Sequence, residues 1–408
     1  MSSPRFKLPS ETPVAPPSGG VTATPAQPPK KSSDLVLRAS TSLLMAYGFL
    51  AIIGLGPIAV LPVIVLVMGG VFREILRISQ KARKDRQLPY FRALPWYFLT
   101  ITLSLTTAFN VRGAVLNTFP QTAVFYNSFG LIAFSLYMFG FVGFVMSLRQ
   151  GMYRYQFAQF TWMAMTLVFV VVQGSLQVTN MMRGMIWFLL PVSCVVHNDI
   201  WAYGWGRSFG RTSLLKLSPK KTVEGFVGAW LFTMIWGFWF AGFLAKFPQL
   251  TCPKADFVSP MSCEPSALFE FVPVSLPSWV AAATGGYFDV IEVCPVQYHA
   301  LVLGAFASLL APFGGFFASG LKRAHKIKDF GDLIPGHGGM TDRMDCQIMT
   351  GFFTYVYLES FVFGSLSIPG TGPACPTTAV GVLACVNALA PQAREELLKL
   401  LGGVAVGV

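Results

Sequence analysis

The sequence predicts an all-α, polytopic membrane helix bundle whose chemistry sits at the cytosolic edge, on three observations. Of its 408 residues, 53% are hydrophobic and only 12% charged, about half the charged fraction of an ordinary soluble domain. The apolar residues gather in charge-free runs on the scale of a bilayer span. The Lys and Arg residues fall in short clusters between those runs, as orientation in a membrane demands.

The runs appear in order along the chain. Ala39–Phe72 contains no charged residue. It is too long for one span of about 20 residues, so two spans in a hairpin are expected, turning at Gly54, Gly56 and Pro57. Charge-poor stretches follow at Trp96–Asn110, Phe125–Leu148, Phe160–Gln177, Met185–Val196, Phe226–Ala245, Tyr298–Ala318 and Cys346–Ser367. About nine spans result, of which 96–110 and 185–196 are short enough to be partial or tilted.

The basic clusters support an odd count. Arg73–Arg92, Arg149/Arg154, Arg207–Lys221 and Lys322–Lys328 all fall on one side with nine spans. The positive-inside rule makes that side cytosolic. The opposite side receives the loop 246–297, which holds only two basic residues, Lys246 and Lys254. Cys252 and Cys263 lie in this loop, where an oxidising lumen permits a disulfide; two free thiols, or a pairing with Cys294, are the alternatives. No cysteines form a CxxC pair, so zinc-ribbon and thioredoxin-type sites have no support.

Residues 1–34 are rich in Pro, Ser and Thr, lack apolar periodicity, and are expected to be a disordered basic tail. The membrane domain is expected over 35–367. A C-terminal tail, 368–408, follows, with a short amphipathic helix opening at Pro391 and ending at Gly402. The formal net charge is +12; its distribution suits anionic lipid and bilayer orientation, and no nucleic-acid partner is expected.

The chemistry concentrates in Ser319–Asp345. Four of the 18 acids of the chain lie between Asp329 and Asp345. Lys322, Arg323, Lys326 and Lys328 supply donors for phosphate oxygens. Pro335-Gly-His-Gly-Gly339 turns sharply and can bring backbone N–H groups to an anion. Asp342 and Asp345, three residues apart, share a helix face. Two carboxylates completed by substrate phosphates suit Mg²⁺. A solvated loop of mixed charge is the plainer alternative.

A second constellation spans His197–Gly225. Asp199 lies at a membrane border, where a carboxylate needs a partner. Ser218-Pro219 fits a helix N-cap and first turn, so that Lys220 and Lys221 would sit at a helix N-terminus suited to phosphate. An ordinary capped helix with lysines reaching to the interface is equally compatible.

These two segments resemble the phosphatidate cytidylyltransferases (CDP-diacylglycerol synthases). The resemblance is carried by Ser319, Lys322, Arg323, Lys328, Asp329, Gly331, Pro335, His337, Gly338, Gly339, Asp342, Arg343 and Asp345. Upstream, Asn198-Asp199, Ala202-Tyr203, Gly206, Gly210 and Ser218-Pro-Lys-Lys-Thr-Val-Glu-Gly225 match as well. Gly315 and Ala318 stand where bacterial members carry Asp and Glu, so this chain is similar to the eukaryotic branch and cannot use the bacterial aspartate as a ligand.

The resemblance implies transfer of CMP from CTP to phosphatidate, with Mg²⁺ as cofactor. It implies catalytic roles for Asp342, Asp329, Lys322, Arg323, Lys328 and Arg343. Substrate would be held by Ser319, Lys220, Lys221, Ser218, Asn198, Gly338, Gly339 and His337. Metal would be held by Asp342, partnered by Asp345, Asp329 or Asp199. An endoplasmic reticulum membrane is expected, with a plastid or mitochondrial one as alternative; a homodimer is left open. The rivals are a CTP-dependent polyprenol or lipid kinase and a membrane transporter. Glu359, inside the last span, is expected either to line a cavity or to be a neutralised structural residue.

Overall fold

The computed structural model describes residues 40, 44–45, 47–80, 88, 91–215, 218–258, 263, 266–275, 290–331 and 338–364, without the side chains of Pro219 and Lys220. The expected N-terminal tail, the C-terminal tail with its helix, and the Pro335–His337 part of the turn lie outside these residues.

Helices dominate. Residues 47–54 are helical and stop at Gly56, whose φ of 86° is one that glycine tolerates. Pro57 then opens α1 (Pro57–Ser79), so the expected hairpin turn lies where the Gly-Pro signal placed it. The following helices are α2 (Leu94–Thr118), α3 (Ala123–Met146), α4 (Tyr153–Met182, with a π segment at Leu167–Val172) and α5 (Ile186–Phe209). Then come α6 (Val223–Ala245), α7 (Pro295–Leu309), α8 (Pro312–Ala324) and α9 (Thr341–Tyr357, extended by a π segment, Leu358–Val362).

Among the described residues, six helical stretches are long and apolar enough to cross a membrane: 57–79, 94–118, 120–146, 153–182, 223–245 and 295–324. The last combines α7 and α8. The two short runs became full-length helices. Arg112 lies within α2, and Asp199 and Arg207 lie within α5, because a charged side chain does not interrupt the backbone hydrogen bonds of a helix. A 24-residue helix such as α5 is about 36 Å long.

Two small antiparallel hairpins accompany the helices. At one end β1 (Ser213–Leu215) pairs with β2 (Ser218–Thr222), placing Ser213 opposite Thr222 and Leu215 opposite Ser218. This corrects the helix start expected at Ser218. That residue lies in a strand, and α6 begins five residues later, where the Thr222 hydroxyl accepts from Gly225 N at 3.2 Å. Thr222 is itself a favoured cap residue, somewhat behind serine, and strand pairing held the preceding residues extended. At the opposite end β3 (Val272–Ser275) pairs with β4 (Val290–Val293).

The core forms where α5, α6 and α7 pack together and α9 lies against α4 and α5. Trp187, Leu190, Cys194, Ala241, Ala300 and Leu303 are almost fully enclosed there. Between apolar helices in lipid, close fit rather than water exclusion holds the contact. At the α5–α6 crossing, a Cβ on Gly225 would lie 2.8 Å from Ala202 O and 2.9 Å from Gly206 Cα.

The two ends of the bundle can be told apart by their contacts. Asn117 and Thr118 at the end of α2 bond to Ala255 O and Phe257 N, and Lys254 N donates to Met182 O at the end of α4. Residues 254–257 of the 246–297 loop therefore lie at this end, close to the Cys252–Cys263 disulfide; Cys294 is free and buried. At the other end, Gln159 and Trp162 of α4 donate to Ser79 O and Ile75 O of α1. Trp162 also stacks edge-on with His325 after α8, ring centroids 5.5 Å apart. With the helices alternating in direction, the ends of α1, α3, α5 and α8 bring the four basic clusters to this second end, the one expected to be cytosolic.

Candidate active site at the basic end of the bundle

The site begins at the last turn of α8. Lys322 and Arg323 close this helix, where positive charge complements the helix dipole. The chain then reverses: Lys326 takes φ 56°, and Ile327 N donates to Lys322 O at 3.0 Å, an arrangement that satisfies otherwise orphaned carbonyls. The reversal brings Asp329 and buried Phe330 alongside the first turn of α9.

Asp342 is held between them. Its Oδ1 accepts from Lys322 Nζ at 2.5 Å and its Oδ2 from Phe330 N at 3.1 Å. The Lys322 ammonium also lies 5.6 Å from the Phe330 ring centre. Gly338 has φ 82°, and its missing side chain faces the Asp329 carboxyl. A Cβ on Gly339 would lie 2.9 Å from Asp342 Oδ2 and from Gly331 N, so the backbone passes there only as glycine.

Asp345 faces a different neighbourhood. A Cβ on Gly315 of α8 would lie 3.3 Å from Asp345 Oδ2 and 3.8 Å from Lys221 Nζ. Lys221 rests over the Phe316 ring at 4.7 Å. Asp199 lies within electrostatic reach of Asp345, and Lys221 and Arg343 within reach of Asp199. Three elements far apart in the chain thus meet: the middle of α5, the hairpin before α6, and the α8–α9 junction.

The Cytidylyltransferase family profile matches residues 36–361. The chain belongs to this family. It is 43% identical over 342 residues to phosphatidate cytidylyltransferase 1 of Arabidopsis thaliana, covering 81% of this chain and 80% of that protein. It is 39% identical to a putative phosphatidate cytidylyltransferase of Schizosaccharomyces pombe (82% and 77% covered). It is 41% identical to phosphatidate cytidylyltransferase 1 of Rattus norvegicus (80% and 72% covered).

The family residues do not all lie in one shell. Lys322, Asp342, Gly338 and Gly339 make the first group, with Asp329 at its edge. Asp345, Lys221, Asp199 and Arg343 make the second. Arg323, Lys328, Asp329 and Arg343 are exposed and Ser319 is half-buried on α8, one turn before Lys322. Asn198 is buried, and its Oδ1 has no partner among the described residues. Ser218 lies on β2; the Lys220 side chain and His337 fall outside the described residues. Asp342, the first choice for a metal ligand from sequence, is engaged by Lys322 and a backbone N–H. Asp345, with Asp199 within electrostatic reach of it, is the carboxylate not engaged by Lys322. Among the described residues, no three of His, Cys, Asp and Glu converge as a ready ligand set. Mg²⁺ needs only one or two carboxylates when phosphates complete its shell, and the Asp199/Asp345 pair fits that demand.

One residue outside the two candidate segments also reaches the site. Glu74, near the end of α1, is 3% exposed. Its carboxylate accepts from Met340 N (2.9 Å), Thr341 N (2.8 Å) and Thr341 Oγ1 (2.8 Å). The signal was present: an acid standing alone in Val-Phe-Arg-Glu-Ile-Leu-Arg.

Proposed function

We infer that this membrane protein transfers the cytidylyl group of CTP to phosphatidate, yielding CDP-diacylglycerol and pyrophosphate. The observation that carries this reading is similarity at about 40% identity, over four-fifths of the chain, to proteins named for that reaction, across the segments that form the basic end of the bundle.

The chemistry follows from charge. A phosphatidate oxygen attacks the α-phosphorus of CTP, and the bond from that phosphorus to the bridging oxygen breaks as pyrophosphate leaves. The second ionisation of a phosphate monoester lies near pH 6, so the nucleophile is already anionic and no protein base is required. What the protein must supply is positioning and positive charge. Lys322 and Lys221 stand on either side of the α8–α9 junction, with Arg323, Lys328 and Arg343 exposed around it. The Gly338–Gly339 backbone passes beside Asp329 and Asp342, and Ser319 offers a hydroxyl.

Asp345 and Asp199 are the residues that would hold Mg²⁺, with Asp342 and Asp329 alongside. When bound, the ion supplies neutralisation of developing charge on the phosphoryl oxygens. Lys322 also compensates the charge of the Asp342 carboxylate. The endoplasmic reticulum membrane is the location we propose, from the likeness to the eukaryotic branch.

The test is a detergent-solubilised assay with CTP labelled at the α-phosphate, with and without phosphatidate. Phosphatidate-dependent appearance of label in the lipid fraction, with pyrophosphate released, is the expected result. Label reaching lipid only from the γ-position would identify a lipid kinase instead.

A further inference from the structure

We propose that Glu74 is a positioning residue for cytidylyl transfer, acting as a latch that fixes the Gly338–Thr341 backbone and with it the first turn of α9. This rests on the cytidylyltransferase reading and extends it to a residue outside the signature segment.

A carboxylate this deeply enclosed is costly unless its oxygens are satisfied. Among the described residues no Lys or Arg forms an ion pair with Glu74. Its charge is met by two backbone N–H groups and one hydroxyl, all from residues 340 and 341. Those N–H groups belong to the start of α9, where the first amides lack intrahelical partners and the helix dipole is positive. α9 has no side-chain cap of its own, so α1 provides the cap from 266 residues away in sequence.

The surroundings are shaped for this carboxylate. A Cβ on Gly331 would lie 2.8 Å from Glu74 Oε1, and one on Gly339 would lie 3.0 Å from Oε2. Glu74 therefore touches both flanks of the 331–339 segment as well as the helix start. Thr341 immediately precedes Asp342 and lies four residues before Asp345, so any shift of this backbone displaces both carboxylates. Misplacement by about 1 Å costs on the order of 10²-fold in rate.

The experiment compares the full-length protein with Glu74→Gln, Glu74→Asp and Thr341→Val in detergent, by turnover and by hydrogen–deuterium exchange. Glu74→Gln turns an –NH₂ group toward N–H donors. It is expected to lower kcat about 10²-fold, with KM for CTP within about threefold. Exchange should rise in peptides covering 338–342 and stay unchanged in α6 and α7. Glu74→Asp restores the charge and should recover part of the rate. Thr341→Val removes one of three bonds and should cost about fivefold. A purely structural cap would lower thermal stability while the folded fraction kept its kcat; that result overturns the proposal, as does unchanged exchange at 338–342. If Glu74→Gln does not fold, Thr341→Val decides by the same two readouts. The exchange experiment tests the latch even if the parent shows no turnover, an outcome that would count against the cytidylyltransferase reading instead.

Discussion

Glu74 and Glu359 are both acids set in long, mainly apolar helices, and the protein handles them in opposite ways. Glu74 is sealed and given backbone donors from the site. Glu359 lies at the far end of α9, with its side chain 41% exposed, and forms an ion pair with Arg183. Arg183 also lies over the rings of Tyr355 and Phe363, at 5.4 and 5.1 Å. A carboxylate matched by a guanidinium among aromatic rings is a local ion pair, and it favours the structural over the cavity-lining alternative for Glu359. A carboxylate matched by backbone amides has instead fixed something else, the start of the helix that carries Asp342 and Asp345. Acids at the basic end should therefore govern turnover, and the polar and covalent ties at the disulfide end should govern stability.

The sharpest way to break this contrast is Asp342→Asn. The change leaves Lys322 without its counter-charge and should reduce kcat by about 10²-fold or more while insertion and folding persist; near-parental turnover at saturating Mg²⁺ would remove Asp342 from the machinery. Next, Asp345→Asn should raise the Mg²⁺ concentration needed for half-maximal activity by at least about tenfold, measured by metal titration, whereas a uniform fall at all Mg²⁺ concentrations would point to positioning instead. Gly339→Ala drives a methyl group into the Asp342 and Glu74 carboxylates and should cost about tenfold in kcat.

At the disulfide end the effects on activity should be small. Cys252→Ser opens a loop closed across 11 residues and should lower stability by up to about 3 kcal/mol, with kcat nearly unchanged. Thermal unfolding of the parent under reductant should reproduce it. Glu359→Gln should be mildest, at about 1 kcal/mol because the pair is partly exposed, with turnover within about twofold. A large loss of turnover from Glu359→Gln would erase the division between the two ends.

How much of the site was legible can be judged residue by residue. Lys322, Asp342 and Gly338-Gly339 were visible as candidates because their chemistry is packed into one short stretch, whereas the pairing of Lys322 with Asp342 was not. Asp199 was visible because a carboxylate at a membrane border has few inexpensive explanations. Ser218 misled, since Ser-Pro is a good helix start in isolation, and only pairing with Ser213–Leu215 made it a strand. Gly315 carried a departure from the bacterial pattern but no indication of its meaning; the structure places it against Asp345 and Lys221.

The sequence by itself determined the membrane class, the end of the bundle where positive charge collects, and the segment that bears the chemistry. Those properties depend on composition, on the length of apolar runs and on groups adjacent in the chain. Only the tertiary structure decided that Asp342 pairs with Lys322 while Asp345 turns toward Asp199 and Lys221, and that Glu74 grips the start of α9. These are meetings between residues tens to hundreds of positions apart, and helix packing, which no local pattern encodes, sets which of them occur.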